Sequence, residues 1–320
     1  MVYLVLFLFS FFLTYFIKKY AIKKSFVAQV NERSSHTIPT PHGGGIAIAT
    51  TWFSGLFYLF MTNQIDIQLF YALLAGALIS IVSFLDDIYE LSPKLRLLIQ
   101  SLVALTGLYF LGGLNSIPFG IIEFSNIVIT STFSFLLILW FINLTNFIDG
   151  INGYVGSEFV FLGIAGLVLF HESLFGILVV AVLGFLFWNY NKAKIFMGDV
   201  GSTLLGYNVA IFTIYYANQE AVNLWVWITL FGLFWFDATY TLIRRKLNGE
   251  KLSQAHKKHA YQRLTQAGWS HFEVTNYAIA LNLLILVLIY FIPNIAISFV
   301  STIVLLFISM KFVDAKKPFE

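Results

Sequence analysis

Residues 127–150 read IVITSTFSFLLILWFINLTNFIDG, and this stretch decides the fold class. Residues 127–147 carry no charged side chain, and a helix needs about 20 such residues to cross about 30 Å of hydrocarbon. The stretch then ends on Asn143, Asn146 and Asp149, which follow one another at intervals of three. The sequence therefore predicts a membrane-spanning helix with a polar site at one end.

Apolar segments of similar length recur along the whole chain. Of its 320 residues, 59% are hydrophobic and only 11% are charged, whereas soluble domains have about 25% charged residues. The chain has no cysteine, which excludes disulfides and thiolate chemistry. We therefore expect an all-α polytopic membrane protein of about eleven transmembrane helices, with one domain over 1–320. The other ten segments are 2–17, 44–62, 68–86, 96–112, 154–171, 174–190, 202–217, 222–243, 272–292 and 294–312.

The basic residues predict the orientation of these helices. If the first helix enters the membrane from outside, all 19 lysines and arginines fall in inner loops or in the C-terminal tail. Positive charge collects on the cytoplasmic side of membrane proteins. We expect the N-terminus outside and the C-terminus in the cytoplasm. The outer segment 117–124, with strand-forming residues around Gly120, predicts either a small β-hairpin or a plain apolar loop.

Five aspartates are expected at the inner ends of the predicted helices: Asp86, Asp87, Asp149, Asp199 and Asp237. An acid at the centre of a membrane helix costs about 2.5–3.5 kcal/mol, so such residues usually have a function. One acid at a helix end is also explained by contact with headgroups and water. Five acids at one face of the membrane favour an active site.

Polar residues around two of these acids suggest ligand binding. Asn143, Asn146 and Asp149 form one stripe on a helix, facing either a wet cleft or neighbouring helices that they bond. Glycines 150, 153 and 156 allow a close backbone approach or a turn. The segment 197–202 (MGDVGS) opens a predicted helix whose N-terminus suits a phosphate, with Asp199 placed to reach a divalent cation. The alternative is that Asp199 or Ser202 caps this helix.

Histidines and arginines form a second group on the inner side. Imidazole and guanidinium groups suit phosphate oxygens, although a basic loop that touches anionic lipids is an alternative. The spacing His-x-x-His also occurs in zinc sites, but adjacent lysines oppose a cation here. His36 and His42 flank residues 39–41 before Gly43, a further anion-binding turn. The second group comprises Arg244, Arg245, His256, His259 and Arg263.

Taken together, the motifs resemble the polyprenyl-phosphate N-acetylhexosamine-1-phosphate transferases, a family of glycosyltransferases that includes the phospho-N-acetylmuramoyl-pentapeptide translocase. The resemblance covers nearly the whole chain, and its motifs occur in order at inner helix ends. They are Pro41-His42-Gly43-Gly44-Gly45, Phe84-Leu85-Asp86-Asp87, Asn143 to Gly150, Phe196 to Ser202, Phe236-Asp237 with Arg244-Arg245, and His256 to Arg263.

The resemblance implies transfer of a sugar 1-phosphate from a UDP-sugar to undecaprenyl phosphate with release of UMP. It also implies that Mg²⁺ is required, with Mn²⁺ as an alternative, and that the protein lies in the bacterial inner membrane. No nucleic-acid partner is expected, and whether the protein forms a homodimer is left open. By this resemblance Asp199 and Asp149 bind the metal, and Asp86 and Asp87 serve the acceptor phosphate. His256 and His259 correspond to the histidine cluster that contacts the donor. Further substrate contacts are expected at His42, Asn143, Asn146, Asp237, Arg244, Arg245 and Arg263.

The chain departs from the muramoyl-peptide branch in two ways. No lysine lies between Lys24 and Lys94, so Arg33 or His36 is expected to take that role. The histidines are spaced rather than contiguous, which is similar to the branch that initiates O-antigen synthesis and argues against a muramoyl-pentapeptide donor. Transfer by single displacement is expected. A transporter or lipid flippase is the main rival, but transporters hold their ligands near the membrane midplane, often between repeats, and no repeat is visible here.

Overall fold

The computed structural model describes residues 1–24, 27–28, 40–119, 122–219, 223–252, 254 and 256–319. Arg33 and His36, expected to replace a lysine, lie outside these residues. The described segments form α1 (Val2–Lys23), β1 (Val27–Ala28), β2 (Thr40–Pro41), α2 (Gly45–Met61), α3 (Ile67–Leu74), α4 (Gly76–Tyr89), α5 (Pro93–Leu111), β3 (Ile117–Phe119), β4 (Ile122–Phe124) and α6 (Ile127–Ile148). They continue with α7 (Tyr154–Phe170), α8 (Ser173–Asn189), α9 (Asp199–Asn218), α10 (Leu224–Leu230), α11 (Gly232–Leu247), α12 (Ala260–Gln266), α13 (His271–Phe291) and α14 (Ile295–Lys316).

The prediction of an all-α polytopic membrane protein is confirmed. Among the residues that the structure describes, six helical segments are long and apolar enough to cross a membrane: α1, α3 with α4, α5, α6, α13 and α14. The pair α10 and α11 makes a seventh span if counted as one, although it is bent by 76°. The apolar helices α2, α7 and α8 are shorter, at 17 residues each. A helix lies over each of the eleven predicted segments, but eleven crossings and their orientation stay predictions.

Side-chain caps fix where several helices begin. Asn126 accepts hydrogen bonds from the N–H groups of Val128 and Ile129 at the start of α6. Ser92 caps α5, with Pro93 as the first helical residue, where its missing N–H costs nothing. Ser270 and Glu273 form a reciprocal capping box at the start of α13.

Helix α9 lies at the centre of the bundle and packs on α6, α4 and α2. Close approach depends on glycine: a Cβ at Gly206 would lie 2.3 Å from the carbonyl oxygen of Phe141 in α6. Small residues allow such backbone contacts between membrane helices. Helix α9 is buried on almost all sides, and Ser202, Thr203 and Asn208 are among its buried polar residues.

The predicted hairpin at 117–124 is confirmed. Strands β3 and β4 pair in antiparallel register, with Ile117 opposite Phe124. The indole N–H of Trp225, in α10, donates to the carbonyl oxygen of Pro118. Side chains of β4 are exposed.

Candidate active site

Two glycine-rich segments meet at the starts of α2 and α9. The N–H groups of Gly44 and Gly45 donate to the carbonyl oxygens of Phe196 and Met197, at 2.9 and 2.8 Å. A Cβ at Gly45 would lie 2.2 Å from the backbone nitrogen of Gly201, so only glycine fits there. This pairing holds His42 beside the segment that leads into α9. Two helix N-termini lie side by side, an arrangement that favours an anion.

Asp199 is the first residue of α9, and its carboxylate belongs to the site. Gly198 holds the N-cap position with φ +76° and ψ 172°, and it makes no side-chain cap. The alternative that Asp199 or Ser202 is the N-cap is therefore wrong. The amide of Asn146, from the end of α6, donates to Asp199 Oδ2 at 3.1 Å. The polar stripe on α6 thus faces α9 through Asn146.

Asp87 and Asp149 add negative charge at the same place. Among the described residues, Asp87 Oδ2 is buried and has no hydrogen-bond partner, and a Cβ at Gly198 would lie 3.4 Å from it. Asp149 follows the last residue of α6. Burial, and then the charges of Asp199 and Asp87, raise the pKa of Asp149 to about 7. The cluster brings carboxylates together in a buried position, where a bound cation would stabilise their charged forms.

These carboxylates suit a magnesium ion whose coordination shell is completed by substrate phosphates. Mg²⁺ usually takes one or two carboxylates together with waters and phosphate oxygens. Within the described part of the chain, no three histidine or acidic side chains form a preformed metal cage. The unpartnered oxygen of Asp87, with Asp199 and Asp149 beside it, supplies the oxygen donors that such an ion prefers.

Asp86 points to a different neighbour, Arg96 in the first turn of α5. Arg96 Nη1 lies 3.0 Å from Asp86 Oδ2 and 4.0 Å from Asp199 Oδ2. Asp86 Oδ1 also accepts a hydrogen bond from the N–H of Leu91 at 2.7 Å. Because Arg96 is partly exposed, its guanidinium retains donors for an added phosphate.

A polar cavity of about 220 Å³ lies beside this ion pair. Asn143 Nδ2 donates to Gln100 Oε1 at 2.8 Å across it, so the asparagine stripe also contacts α5. Its apolar side is formed by Ile79, Val82 and Leu97. We call it the polar cavity; its polar lining comprises Asp86, Arg96, Gln100, Asn143, Asn146 and Asp199.

His256 and His259 lie in the segment before α12, with ring centres 4.8 Å apart. The N–H of Lys258 donates to His256 Nδ1 at 3.2 Å. Burial, followed by the charges of His259 and Arg245, lowers the pKa of His256 to about 4. The ring is therefore neutral at pH 7 and carries its proton on Nε2, which makes that nitrogen a donor.

Asp237 holds the start of α12 rather than joining the other four aspartates. Its Oδ1 and Oδ2 atoms accept hydrogen bonds from the N–H of Ala260 at 2.9 and 3.0 Å. Oδ1 also accepts from the hydroxyl of Thr241 at 3.0 Å and lies 3.6 Å from His259 Nδ1. Asp237 thus orients the histidine segment.

The three arginines expected to bind substrate have protein partners. Arg245 is 1% exposed and donates to Glu250 and to the carbonyl oxygens of Lys251 and Gln254. Arg244 and Arg263 both donate to Asp314 in α14. These contacts tie the three arginines to protein groups, and direct substrate binding by the arginines stays a prediction.

Tyr261 connects α12 to the turn after Asp149. Its hydroxyl donates to the carbonyl oxygen of Phe147 at 3.2 Å. A Cβ at Gly150 would lie 2.3 Å from the same hydroxyl. Gly153, at φ +74°, is the N-cap of α7. Gly150 therefore makes room for Tyr261, and Gly153 provides the turn into α7.

Sequence reasoning missed Arg96, Gln100 and Tyr261. Arg96 had a usable signal, because it follows Asp86 by ten residues across a short loop and lies in the first turn of a helix. Gln100 had none, because an isolated glutamine in an apolar chain does not reveal its partner. Tyr261 lies within the motif from His256 to Arg263, but the motif does not indicate its contact with Phe147. The structure brings together Asp86, Asp87, Asn143, Asn146, Asp149 and Asp199.

Comparison with known proteins identifies the family of this chain. Residues 69–217 match the model of the family described as glycosyl transferase family 4. The chain is 33% identical over 282 residues to a probable undecaprenyl-phosphate N-acetylglucosaminyl 1-phosphate transferase of Bacillus subtilis, with 81% of this chain and 75% of the relative covered. An undecaprenyl-phosphate alpha-N-acetylglucosaminyl 1-phosphate transferase of Yersinia pestis is 28% identical, with coverage of 83% and 76%.

A third relative carries a different lipid in its name. The decaprenyl-phosphate N-acetylglucosaminephosphotransferase of Mycobacterium leprae is 28% identical, with 78% of this chain and 72% of the relative covered. All three are named as transferases that act on a polyprenyl phosphate. The motif order, the cluster of carboxylates between α4, α6 and α9, and these likenesses lead to one conclusion: the chain belongs to the polyprenyl-phosphate N-acetylhexosamine-1-phosphate transferase family.

Proposed function

We propose that this protein transfers an N-acetylhexosamine 1-phosphate from its UDP-linked donor to undecaprenyl phosphate and releases UMP. The three relatives named above are N-acetylglucosamine transferases, so N-acetylglucosamine is the proposed sugar. The product would begin a cell-envelope polysaccharide, such as O-antigen, on the cytoplasmic side of the bacterial inner membrane.

The observation that carries the proposal is the composition of the polar cavity and its rim. Asp199 at the start of α9 accepts from Asn146, and Arg96 lies between Asp86 and Asp199. Two anionic phosphates that react with one another need cationic side chains and a cation to reduce their repulsion. The carboxylate cluster offers ligands for a cation, and the arginine and the two helix N-termini offer positive charge directly.

The proposed reaction is a single displacement. An oxygen of the lipid phosphate attacks the β-phosphorus of the donor and forms a new phosphorus–oxygen bond. The bond from this phosphorus to the oxygen bridging to the α-phosphate breaks, and UMP leaves with the electron pair. A phosphate monoester is mostly dianionic at neutral pH, its second pKa being about 6, so Asp86 and Asp87 position groups rather than remove a proton.

The individual side chains have distinct tasks in this scheme. Asp199 and Asp149 would hold Mg²⁺, which when bound would supply positive charge to offset that of the phosphates. Arg96 directs its free donors at phosphate oxygens while Asp86 fixes its position. His256, neutral and protonated on Nε2, donates to the donor's phosphates or sugar. Asp237 fixes the backbone beside His259 by accepting from the N–H of Ala260.

The experiment is UMP release by purified protein in detergent, given undecaprenyl phosphate, Mg²⁺ and a panel of UDP-N-acetyl sugars. Lipid-dependent release with one donor supports the reaction and identifies the sugar. Folded protein that releases no UMP with any donor, but moves lipid or ions across proteoliposomes, would favour the transporter alternative.

A further inference from the structure

The end of α14 contacts both helices that border the loop carrying His256. This loop, residues 248–259, follows α11 and precedes α12. Asp314 in α14 accepts at Oδ1 from Arg244 Nη1 at 2.8 Å and from Arg263 Nη2 at 2.5 Å. Arg244 lies in the last turn of α11, and Arg263 lies in α12. One carboxylate therefore joins the two ends of the loop.

Phe319, which follows α14, adds an aromatic ring to this junction. Its ring centre lies 3.9 Å from Arg244 Cζ, 5.4 Å from Arg263 Cζ and 5.5 Å from Lys258 Nζ. A cation within about 6 Å of a ring centre is attracted by the negative face of the ring. Arg263 Nε also donates to the carbonyl oxygen of Lys317 at 3.1 Å, which fixes the backbone two residues before the ring. Phe319 thus contacts one cation before the loop, one within it and one after it.

Lys258 connects this ring to His256. The ammonium of Lys258 donates to Glu250 Oε1 at 2.8 Å, and Glu250 Oε2 accepts from Arg245 Nε at 2.9 Å. The backbone N–H of Lys258 donates to His256 Nδ1 at 3.2 Å. Because this bond occupies Nδ1, the neutral imidazole keeps its proton on Nε2, where it can donate to a ligand. A displacement of Lys258 would therefore change where His256 directs that proton.

We propose that Phe319 is a positioning residue which, together with Asp314, holds the loop 248–259 in the conformation that lets His256 bind the UDP-sugar. The inference rests on the proposed function, since His256 contacts the donor in that scheme. Phe319 acts through Lys258 rather than on the donor itself. This role is favoured over the docking of anionic lipids on the same basic residues, because Arg244 and Arg263 already direct their guanidinium groups at Asp314.

The test replaces the ring of Phe319 with an aliphatic side chain and with a second kind of ring. Phe319→Leu keeps an apolar side chain but removes the aromatic face, whereas Phe319→Tyr retains that face. We expect Phe319→Leu to raise KM for the UDP-sugar about fivefold or more, the size of one cation–π contact, and Phe319→Tyr to stay within about twofold of wild type. In both variants kcat and KM for undecaprenyl phosphate should change by less than about twofold, the pattern of a loss that affects ground-state and transition-state binding equally.

Phe307→Leu is the matched control. Phe307 also lies in α14, and the ammonium of Lys311 lies 5.3 Å from its ring centre. This variant removes a contact of the same kind, but its cation belongs to α14 rather than to the loop or the two helices that border it. KM for the UDP-sugar should therefore equal that of the wild-type protein.

Hydrogen exchange gives a second readout that does not depend on catalysis. The amides of residues 248–259 should exchange about fivefold faster in Phe319→Leu than in wild type, because local opening of the loop becomes easier, and Phe307→Leu should leave them unchanged. Equal KM values for the UDP-sugar in Phe319→Leu and Phe319→Tyr, or unchanged exchange of the loop in Phe319→Leu, would overturn the proposal. Wild-type protein that releases no UMP with any donor would instead refute the proposed function, and the exchange comparison would still decide whether Phe319 holds the loop.

Discussion

Arg96 Nη1 lies 3.0 Å from Asp86 Oδ2, and this ion pair joins the end of α4 to the start of α5. The same nitrogen is 4.0 Å from Asp199 Oδ2 in α9. One guanidinium therefore connects the acidic pair on α4 with the carboxylate that begins α9. Because it lines the polar cavity and is 39% exposed, it can contact an incoming phosphate without breaking the pair.

Replacing Arg96 with glutamine should lower kcat strongly. The variant removes the positive charge that offsets Asp86, Asp199 and the substrate phosphates. We expect a loss of about 10²–10³-fold, the usual effect of removing one donor to a developing charge. The measurement is UMP release at saturating donor and acceptor.

Lys94→Gln is the matched control for Arg96→Gln. Lys94 lies in the same first turn of α5 and is exposed, so this variant changes the local net charge equally. Its kcat should be close to that of the wild-type protein. Equal losses in the two variants would mean that overall charge, rather than the position of Arg96, matters.

Replacing Asp199 with asparagine should abolish transfer and leave the fold intact. The amide has the same shape but lacks the charge for a cation, and its NH₂ group faces or replaces the oxygen that accepts from Asn146. We expect at least about a 10³-fold loss, comparable with the largest single electrostatic contributions. Activity is measured over a Mg²⁺ titration, and folding is measured by thermal unfolding.

Two controls define the metal dependence. Chelation should stop UMP release by the wild-type protein, and added Mg²⁺ should restore it. Glu90→Gln removes an exposed carboxylate shortly after the aspartate pair and should retain both activity and Mg²⁺ response. An Asp199→Asn variant that is active at ordinary Mg²⁺ concentrations would remove Asp199 from the site.

His256 predicts a pH dependence of stability. Its pKa is lowered to about 4 in the folded protein, against about 6.5 for a free histidine. Between these values the unfolded chain binds more protons, so acidification from pH 6.5 towards 4 favours unfolding. The apparent Tm of the wild-type protein should fall more steeply across this window than that of His256→Gln. Parallel curves would contradict the neutral state of the ring.

Glu158 in α7 and Asn282 in α13 form a buried pair, and replacing Glu158 with glutamine tests its contribution to stability. Glu158 is 2% exposed and accepts from Asn282 Nδ2 at 2.5 Å. Glu158 Oε1 and Asn282 Oδ1 both lack partners among the described residues. A glutamine amide at position 158 can donate to Asn282 Oδ1 and accept from Asn282 Nδ2, so Glu158→Gln should preserve or raise Tm.

Glu158→Leu provides the comparison for this pair. Leucine fills a similar volume with an apolar side chain but leaves the amide of Asn282 without a hydrogen-bond partner. An unsatisfied buried group of this kind costs about 1–3 kcal/mol. Its Tm should be below that of both wild type and Glu158→Gln. If glutamine and leucine destabilise equally, the amide geometry has no role in stability.

Much of the candidate site could be predicted because its residues lie at helix ends. Asp87, Asp149 and Asp199 are charged residues in an apolar chain, and the expense of burying charge makes such positions conspicuous. The spacing of Asn146 and Asp149 also placed them on one helix face before any contact was known. The partners of these residues were harder to predict, since Asp237 contacts Ala260 and Arg245 contacts Gln254 through folded loops.

The sequence by itself determined that this chain is a helical membrane protein with acids at the helix ends, because hydrophobic length and charge position are local properties. Only the tertiary structure decided that Asp86 and Asp87, although adjacent in sequence, have different neighbours. Asp86 pairs with Arg96 beside the polar cavity, whereas Asp87 lies near Gly198. A rotation of about 100° per residue turns neighbouring side chains apart, and the packing of α2, α5 and α9 around α4 determines what each one meets.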